Sequence, residues 1–259
     1  MPAPFHWTEE KRKEMIAAYN NGEGIISIAK RFHVRHESIS ALLQEQGIQV
    51  KTRSEWSRRN ICNYAYFHQI DTEEKAYWLG FLTADGCVTK GKKPGDSPRL
   101  TINLGIQDYE HLVKFKQALQ ASQVVSKSER SCSFTIYSSE LVADLATHGI
   151  KPQKTLHTVP AMVAPELERH YWRGVIDGDG YIAKKRVELT LVGDYAVVLG
   201  FQQFVLAHCL KVKARIFCDM NIYTFQITGV TVRKILEVLY EGATVYLDRR
   251  YERAKPILS

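Results

Sequence analysis

A ten-residue segment that occurs twice limits this chain more than any other feature. Tyr77-Trp78-Leu79-Gly80-Phe81-Leu82-Thr83-Ala84-Asp85-Gly86 is matched by Tyr171-Trp172-Arg173-Gly174-Val175-Ile176-Asp177-Gly178-Asp179-Gly180, 94 residues later. A repeat at this period implies two halves built on one plan. The same patterns follow each copy. Leu100, Ile102, Leu104 and Ile106 alternate with Thr101, Asn103, Gly105 and Gln107, and Val187, Leu189 and Leu191 alternate with Glu188, Thr190 and Val192. Period two marks a strand with one covered face. Apolar periodicity predicts helices over 111–119 and 196–208. Strands are expected over 133–137, 213–218 and 223–228, and closing helices over 139–146 and 230–240. The fold class expected is an α+β body of two pseudo-equivalent halves.

Within each decapeptide two small residues stand four apart, Gly80 with Ala84 and Gly174 with Gly178. On a helix they share a face and let another helix backbone come close. The two copies are therefore expected to pair about a pseudo-two-fold axis. Each ends in Asp-Gly, and glycine is common just past a helix end, so Asp85 and Asp179 fall at the helix C-termini. A carboxylate there opposes the macrodipole by about 0.3–1 kcal/mol, and pairing brings two like charges together. Both features point to a missing hard cation such as Mg²⁺. The competing reading is a pair of Asp-Gly turns used only to end helices.

The first fifty residues read as three short helices. Thr8 can cap the first, which carries Met15, Ile16 and Tyr19; Ile25 to Phe32 forms the second; and His36 to Gln46, with Ile39, Leu42 and Leu43 inward, forms the third. A tight turn between the last two is the pattern of a helix-turn-helix. In that reading Arg35, His36, Glu37, Ser38 and Ser40 lie near base edges or phosphates; the alternative is a small helical domain packed on something else. Lys51, Arg53, Arg58 and Arg59 make a basic linker that can follow phosphates. The domains expected are residues 1–50 (helix-turn-helix), 51–70 (linker), 71–160 and 161–259 (the two halves).

Composition excludes other classes. The chain has 259 residues, 45% hydrophobic and 24% charged, as in a globular protein. Its net charge of +7 suits a polyanionic partner without identifying one. No apolar run reaches the ~20 residues of a membrane span, and the N-terminus has no secretory apolar region. Five scattered cysteines with no C-x-x-C spacing argue against a disulfide framework or a zinc site and for a reducing, cytoplasmic setting.

Trp78 to Gly86 (W-L-G-F-L-T-A-D-G) and Trp172 to Gly180 (W-R-G-V-I-D-G-D-G) resemble the motif of the LAGLIDADG homing endonucleases, in the single-chain form with two motifs. The head resembles the helix-turn-helix of resolvases and of several bacterial or phage members. The resemblance implies two αββαββα halves whose sheets form a saddle over duplex DNA. It implies metal binding by Asp85 and Asp179, with Mg²⁺ or Mn²⁺ as cofactor and no backbone ligand assigned at Ala84. The activity implied is a double-strand break with short 3′ overhangs at a long target, spreading an intron or the enzyme's own gene in a bacterial, phage-infected or organellar setting. Lys154, 69 residues after Asp85, and Arg250, 71 residues after Asp179, correspond to basic residues beside the metals. Gln107 corresponds to a polar, water-orienting residue. Thr83 and Arg173 depart from the motif. On the strands, Thr101 and Asn103 in one half, and Glu188, Thr190, Lys213, Arg215, Thr224, Gln226 and Thr228 in the other, would face DNA; Tyr and Phe in these strands are expected in the core. The protein is expected to act as a monomer. The rival readings are an intron-RNA maturase and a non-cleaving transcription regulator.

Overall fold

The computed structural model describes residues 7–20, 23–48, 50, 61–91, 96–152, 158–183, 186–209, 215–220 and 222–259. The chain divides into two compact units, Met1–Arg59 and Asn60–Ser259.

The first unit holds α1 (Glu9–Asn20), α2 (Ile25–Arg31) and α3 (His36–Glu45). The backbone N–H of Lys11 donates to Thr8 Oγ1 at 3.4 Å, and Glu9 and Glu10 occupy the first turn of α1, where the macrodipole favours them. Met15, Tyr19, Ile28, Ile39, Leu42 and Leu43 close one small core. The turn between α2 and α3 passes through His33 at φ 53°, and Gly47 at φ 67° ends α3. Arg35, His36 and Glu37 are exposed, and Ser38 and Ser40 are half-buried. The Ser40 hydroxyl donates back to the His36 carbonyl at 3.1 Å. This is the tri-helical arrangement expected. Lys51, Arg53, Arg58 and Arg59 lie outside the described residues.

The second unit contains the duplication. Its first half runs α4 (Glu73–Asp85), β1 (Gly86–Thr89), β2 (Arg99–Gly105), α5 (Tyr109–Ala118), β3 (Ser126–Lys127), β4 (Ser131–Tyr137) and α6 (Ser139–Thr147). Its second half runs α7 (Glu168–Asp179), β5 (Gly180–Ile182), β6 (Glu188–Gly193), α8 (Tyr195–His208), β7 (Arg215–Asp219), β8 (Ile222–Thr228) and α9 (Val230–Tyr240). A further helix, α10 (Asp248–Leu258), follows. The sheets are antiparallel with matching orders, β1-β2-β4-β3 and β5-β6-β8-β7. Leu100, Ile102, Phe134 and Ile136 point inward from one sheet, and Leu189, Leu191, Phe225 and Ile227 from the other. The predicted αββαββα plan is present in both halves. Ile106 does not extend β2 but starts a single 3₁₀ turn, Ile106–Asp108.

Helices α4 and α7 are buried on nearly every side: Ala76 to Thr83 and His170 to Asp177 are all buried. Helices buried on every face sit inside a core, and these two pack on each other. A Cβ added at Gly80 would come within 1.9 Å of the Tyr171 carbonyl oxygen. One at Gly174 would come within 2.1 Å of the Tyr77 carbonyl oxygen and 2.6 Å of the Phe81 nitrogen. The two backbones therefore touch. Gly86 and Gly180 stand just past the helix ends, as expected, with extended backbone at φ −73° and −76°. The chain leaves each helix directly as a strand, and a Cβ at Gly86 or Gly180 would lie 2.5 Å from the Leu82 or Ile176 carbonyl oxygen. Glycine stands there because the turn is tight.

The prediction concerns this contact. Gly174→Ala forces backbone apart and should destabilise the second unit by about 3 kcal/mol. Gly193→Ala, where a Cβ meets nothing within 4 Å, should be close to neutral. Thermal melts of the two variants check the difference.

Candidate metal centre at the paired helix ends

The glycine contact brings the ends of α4 and α7 together. A Cβ at Gly178 would lie 2.4 Å from Ala84 Cβ and 3.2 Å from Asp85 Oδ2. The Asp85 carboxylate thus rests against the backbone of Gly178, one residue before Asp179. The last carbonyls of α7 are neutralised from α10: Arg250 Nε donates to the Asp177 carbonyl at 3.1 Å and Nη2 to the Gly178 carbonyl at 3.1 Å. A cation on these orphan acceptors offsets the negative helix end. Arg250 is consequently 8% exposed, committed to the helix end. Its neighbour Arg249 forks onto Asp108, with Nη2 to Oδ2 at 2.9 Å and Nε to Oδ1 at 3.1 Å. The hydrogen bond to Asp108, then the charges of Asp108, Asp85 and Asp177, raise the Arg249 guanidinium above its ordinary value. Arg249 therefore lies within electrostatic reach of Asp85.

Among the described residues no cluster of three or more His, Cys, Asp or Glu side chains is placed to hold a metal. Two carboxylates fit one kind of ion. Mg²⁺ is commonly held by one or two carboxylates, completing its shell with water and substrate phosphate. The candidate donor set, two carboxylates at packed helix ends, suits a hard ion of that kind and lacks the nitrogen and sulfur ligands that predominate in zinc sites.

Beneath the helix ends lies a buried polar network. Asp177 accepts from Tyr77 Oη (2.7 Å), Tyr240 Oη (2.5 Å) and the backbone N–H of Leu247 (2.7 Å). Because Tyr77 gives its proton to Asp177, its oxygen accepts from His111 Nε2 at 3.1 Å. That tautomer leaves His111 Nδ1 with no hydrogen-bond partner among the described residues. The pseudo-symmetric pair is Tyr171 with Thr83, 3.2 Å apart, and Thr83 Oγ1 donates to the Leu79 carbonyl at 2.9 Å. Each motif tyrosine thus reaches the opposite motif, and Thr83 occupies the place of Asp177. Burial pushes the Asp177 carboxyl up to about 6 despite its three donors. Burial, then the charges of Lys114 and Arg249, take His111 down to about 3; burial, then Arg173, takes His170 down to about 4.

Arg173, the other departure from the motif, is fully buried and bridges the halves. It donates to Glu73 Oε1 at the start of α4 (2.7 Å), to the Leu239 and Val245 carbonyls (2.8 and 2.9 Å) and to His170 Nδ1 (2.9 Å). The segments that close each half also cross over. Asp108, preceding α5, holds Arg249 of the second half; Asp194, preceding α8, accepts the Thr158 N–H of the first-half tail at 2.8 Å. Neither aspartate caps its own helix.

The remaining candidates are spread over the second unit. Lys154 and Lys213 lie outside the described residues. Gln107 is exposed and folded against Gly105, where an added Cβ would meet its Nε2 at 2.3 Å. Thr101 faces Thr135 across the first sheet, Oγ1 to Oγ1 at 3.2 Å, and Asn103 is exposed beside Ser133. On the second sheet Tyr181, Thr190, Gln226 and Arg215 stand in one cross-strand row on the outward face. Val192, Thr224 and Phe217 form the next row, and Glu188 pairs with Thr228 beyond. The expectation that strand aromatics are core holds for Phe134 and Phe225 but fails for Phe217 and Tyr137, which are 54% and 56% exposed. Period-two register puts them on the outward face. Arg249, Asp108 and the paired tyrosines were not among the sequence candidates. Tyr77 and Tyr171 carried a signal, since both decapeptides begin with them; Arg249 carried none that separates it from Arg250.

Residues 72–147 match the family model of the LAGLIDADG-like domain. No curated protein sequence matches the chain. Among solved structures, the LAGLIDADG meganuclease I-AabMI bound to uncleaved DNA aligns at TM-score 0.51 and 13% identity, over 70% of this chain and 88% of that one. The LAGLIDADG homing endonuclease I-LtrWI bound to target DNA aligns at TM-score 0.50 and 11% identity, over 75% and 90%. These likenesses carry the fold. The first half contains the segment similar to a LAGLIDADG-like domain, and the second unit shares the two-half fold of these structures.

The pH dependence of stability tests the buried network. The folded state keeps a proton on Asp177 up to about pH 6, whereas an unfolded aspartate releases it near 3.9. The carboxyl's contribution therefore falls as pH rises from 4 to 6 and is level above that. His111 and His170 act in the opposite sense up to about pH 6.5, so the comparison is with Asp177→Asn. Wild-type stability minus that of the variant should fall between pH 4 and 6, at up to about 1.4 kcal/mol per pH unit; a level difference in chemical denaturation contradicts the assignment.

Proposed function

From a body with the LAGLIDADG fold, we propose that the chain is a site-specific endonuclease of duplex DNA that uses a divalent metal, Mg²⁺ or Mn²⁺, and acts as a monomer. One observation supports the proposal: the packing of Gly178, the residue before Asp179, against Ala84 and the Asp85 carboxylate. A divalent ion held there supplies charge stabilisation and an activated water to a phosphodiester. The chain's own groups arrange the rest. Asp85 and Asp179 are the metal ligands, one from each half, so one chain provides what a symmetric dimer would otherwise provide. Arg250 offsets the negative end of α7 and is the basic residue of the second half that would favour charge building up on a cleaved phosphate. Lys154 is retained as the corresponding basic residue of the first half, and Gln107 as a polar group aligned with the end of β2.

The outward sheet faces supply the reading surface. Thr101 and Asn103 serve one half; Thr190, Arg215, Thr224 and Gln226, with Lys213, serve the other. Such side chains bond base edges and phosphates. The head, through Arg35, His36, Ser38 and Ser40, and the basic residues Lys51, Arg53, Arg58 and Arg59 lengthen the contact along the duplex. The net charge of +7 is consistent with a polyanion as partner.

Asp85→Asn and Asp179→Asn should each abolish double-strand cleavage of a library-selected target in Mg²⁺ while leaving its binding in Ca²⁺ within a few-fold of wild type. A variant that cuts both strands at the wild-type rate rejects the site. A wild-type protein that binds duplex or intron RNA and never cuts duplex DNA would favour a maturase or a regulator. Deleting residues 1–50 should weaken target binding about tenfold and flatten its salt dependence, as read by fluorescence anisotropy at several salt concentrations; unchanged binding removes the head from the DNA contact.

A further inference from the structure

The second unit carries a cavity of about 710 Å³ between Ala183, Arg186 and Val187 on one side and α10 on the other. Its charge is lopsided. Arg186, Arg249 and Arg253 line it against a single carboxylate, Glu252, and Glu252 is bonded by Lys255. Guanidinium groups are weakly hydrated planar forks that match phosphate oxygens in pairs. Arg249 is already forked onto Asp108, which leaves Arg186 and Arg253 to favour an anion in the opening, and the space exceeds what a single inorganic phosphate fills.

Two further contacts orient the cavity. The Arg253 guanidinium lies 5.6 Å from the centre of the Tyr181 ring. Tyr181 heads the cross-strand row that continues through Thr190 and Gln226 to Arg215, so the arginine cluster extends the outward sheet face past its edge strand. At the other side Arg249 is fixed by Asp108, and the next residue of α10, Arg250, donates to the Gly178 carbonyl at the end of α7. The cavity thus adjoins the outward face of the second sheet on one side and, on the other, the start of α10, whose Arg250 covers the end of α7.

We propose that this groove seats the sugar-phosphate backbone of one DNA strand next to the step that is cut, with Arg186 and Arg253 as its phosphate contacts and Arg249, held by Asp108, in its wall. The inference rests on the nuclease reading. It makes α10, the helix without a counterpart of its own kind among the described residues of the first half, a DNA-contacting element. It also makes the two strands unequal at the centre.

The test uses the full chain with Arg186→Gln and Arg253→Gln combined, leaving Arg249 in place because it bonds Asp108. Affinity for the selected duplex should fall about tenfold at low salt, and the slope of log affinity against log salt should become shallower by about two. Ethylation interference should lose signals at phosphates flanking the cut on one strand. Glu252→Gln should tighten binding a few-fold. Lys234→Gln, which removes an exposed charge from α9, should leave the slope and the interference pattern as in wild type, and matching thermal melts exclude misfolding. If the wild type binds and cuts but the double variant keeps the same slope and pattern, the groove proposal is overturned and the nuclease reading stands. If the wild type neither binds nor cuts any duplex, the nuclease reading fails first. If inorganic phosphate alone protects the wild type from thermal unfolding, does not protect the double variant, and DNA binding is equal in both, the groove is a free-anion site and the proposal is overturned.

Discussion

Everything distinctive about the second unit depends on two helix backbones touching. With side chains at Gly80 and Gly174, the backbones of α4 and α7 could not approach, because the positions a Cβ would take lie about 2 Å from the opposing carbonyl oxygens. The contact has two consequences. It joins the halves into one core, and it forces the acidic ends of the helices together at Gly178 and Asp85. Stability and candidate chemistry thus come from one packing constraint.

The remaining polar groups stabilise an arrangement that electrostatics alone opposes. Arg250 covers the carbonyls that end α7. Asp108 and Asp194, at equivalent places in the two halves, each hold the tail of the other half instead of capping their own helices. The tyrosines that open the two motifs each reach the seventh motif position across the axis, to Asp177 in one case and Thr83 in the other. The departures of Thr83 and Arg173 from the family motif therefore make the interface asymmetric. Arg173 bonds Glu73, His170 and two carbonyls in a fully buried position, so leaving it without its partners would bury an unpaired charge, a cost of several kcal/mol. An interface of that kind pairs one half with the other and disfavours like with like.

Much of this was legible in the residues. The duplication, the strand periodicity and the spacing of small residues led to the two-half plan, because each reflects a short-range rule: period two for strands, four for helix faces. What escaped was non-local. Gly86 and Gly180 were placed just past the helix ends, but residue type did not show that the chain leaves each helix directly as a strand. Helix α10 is charge-rich and buries only Arg250 and Ala254, so its periodicity carried no strong apolar stripe. Phe217 was assigned to the core by residue type, and its register in β7 turns it outward. Arg249 and Arg250 are adjacent and chemically alike; only the fold sends one to Asp108 and the other to the end of α7.

The most direct measurement of the central claim is anomalous scattering from Mn²⁺ in a crystal of the full chain with its selected duplex. The account predicts an ion bound directly by carboxylate oxygens of both Asp85 and Asp179 and by a phosphate oxygen of the DNA. Ions found only elsewhere, or the two carboxylates turned apart with neither touching metal, would contradict it.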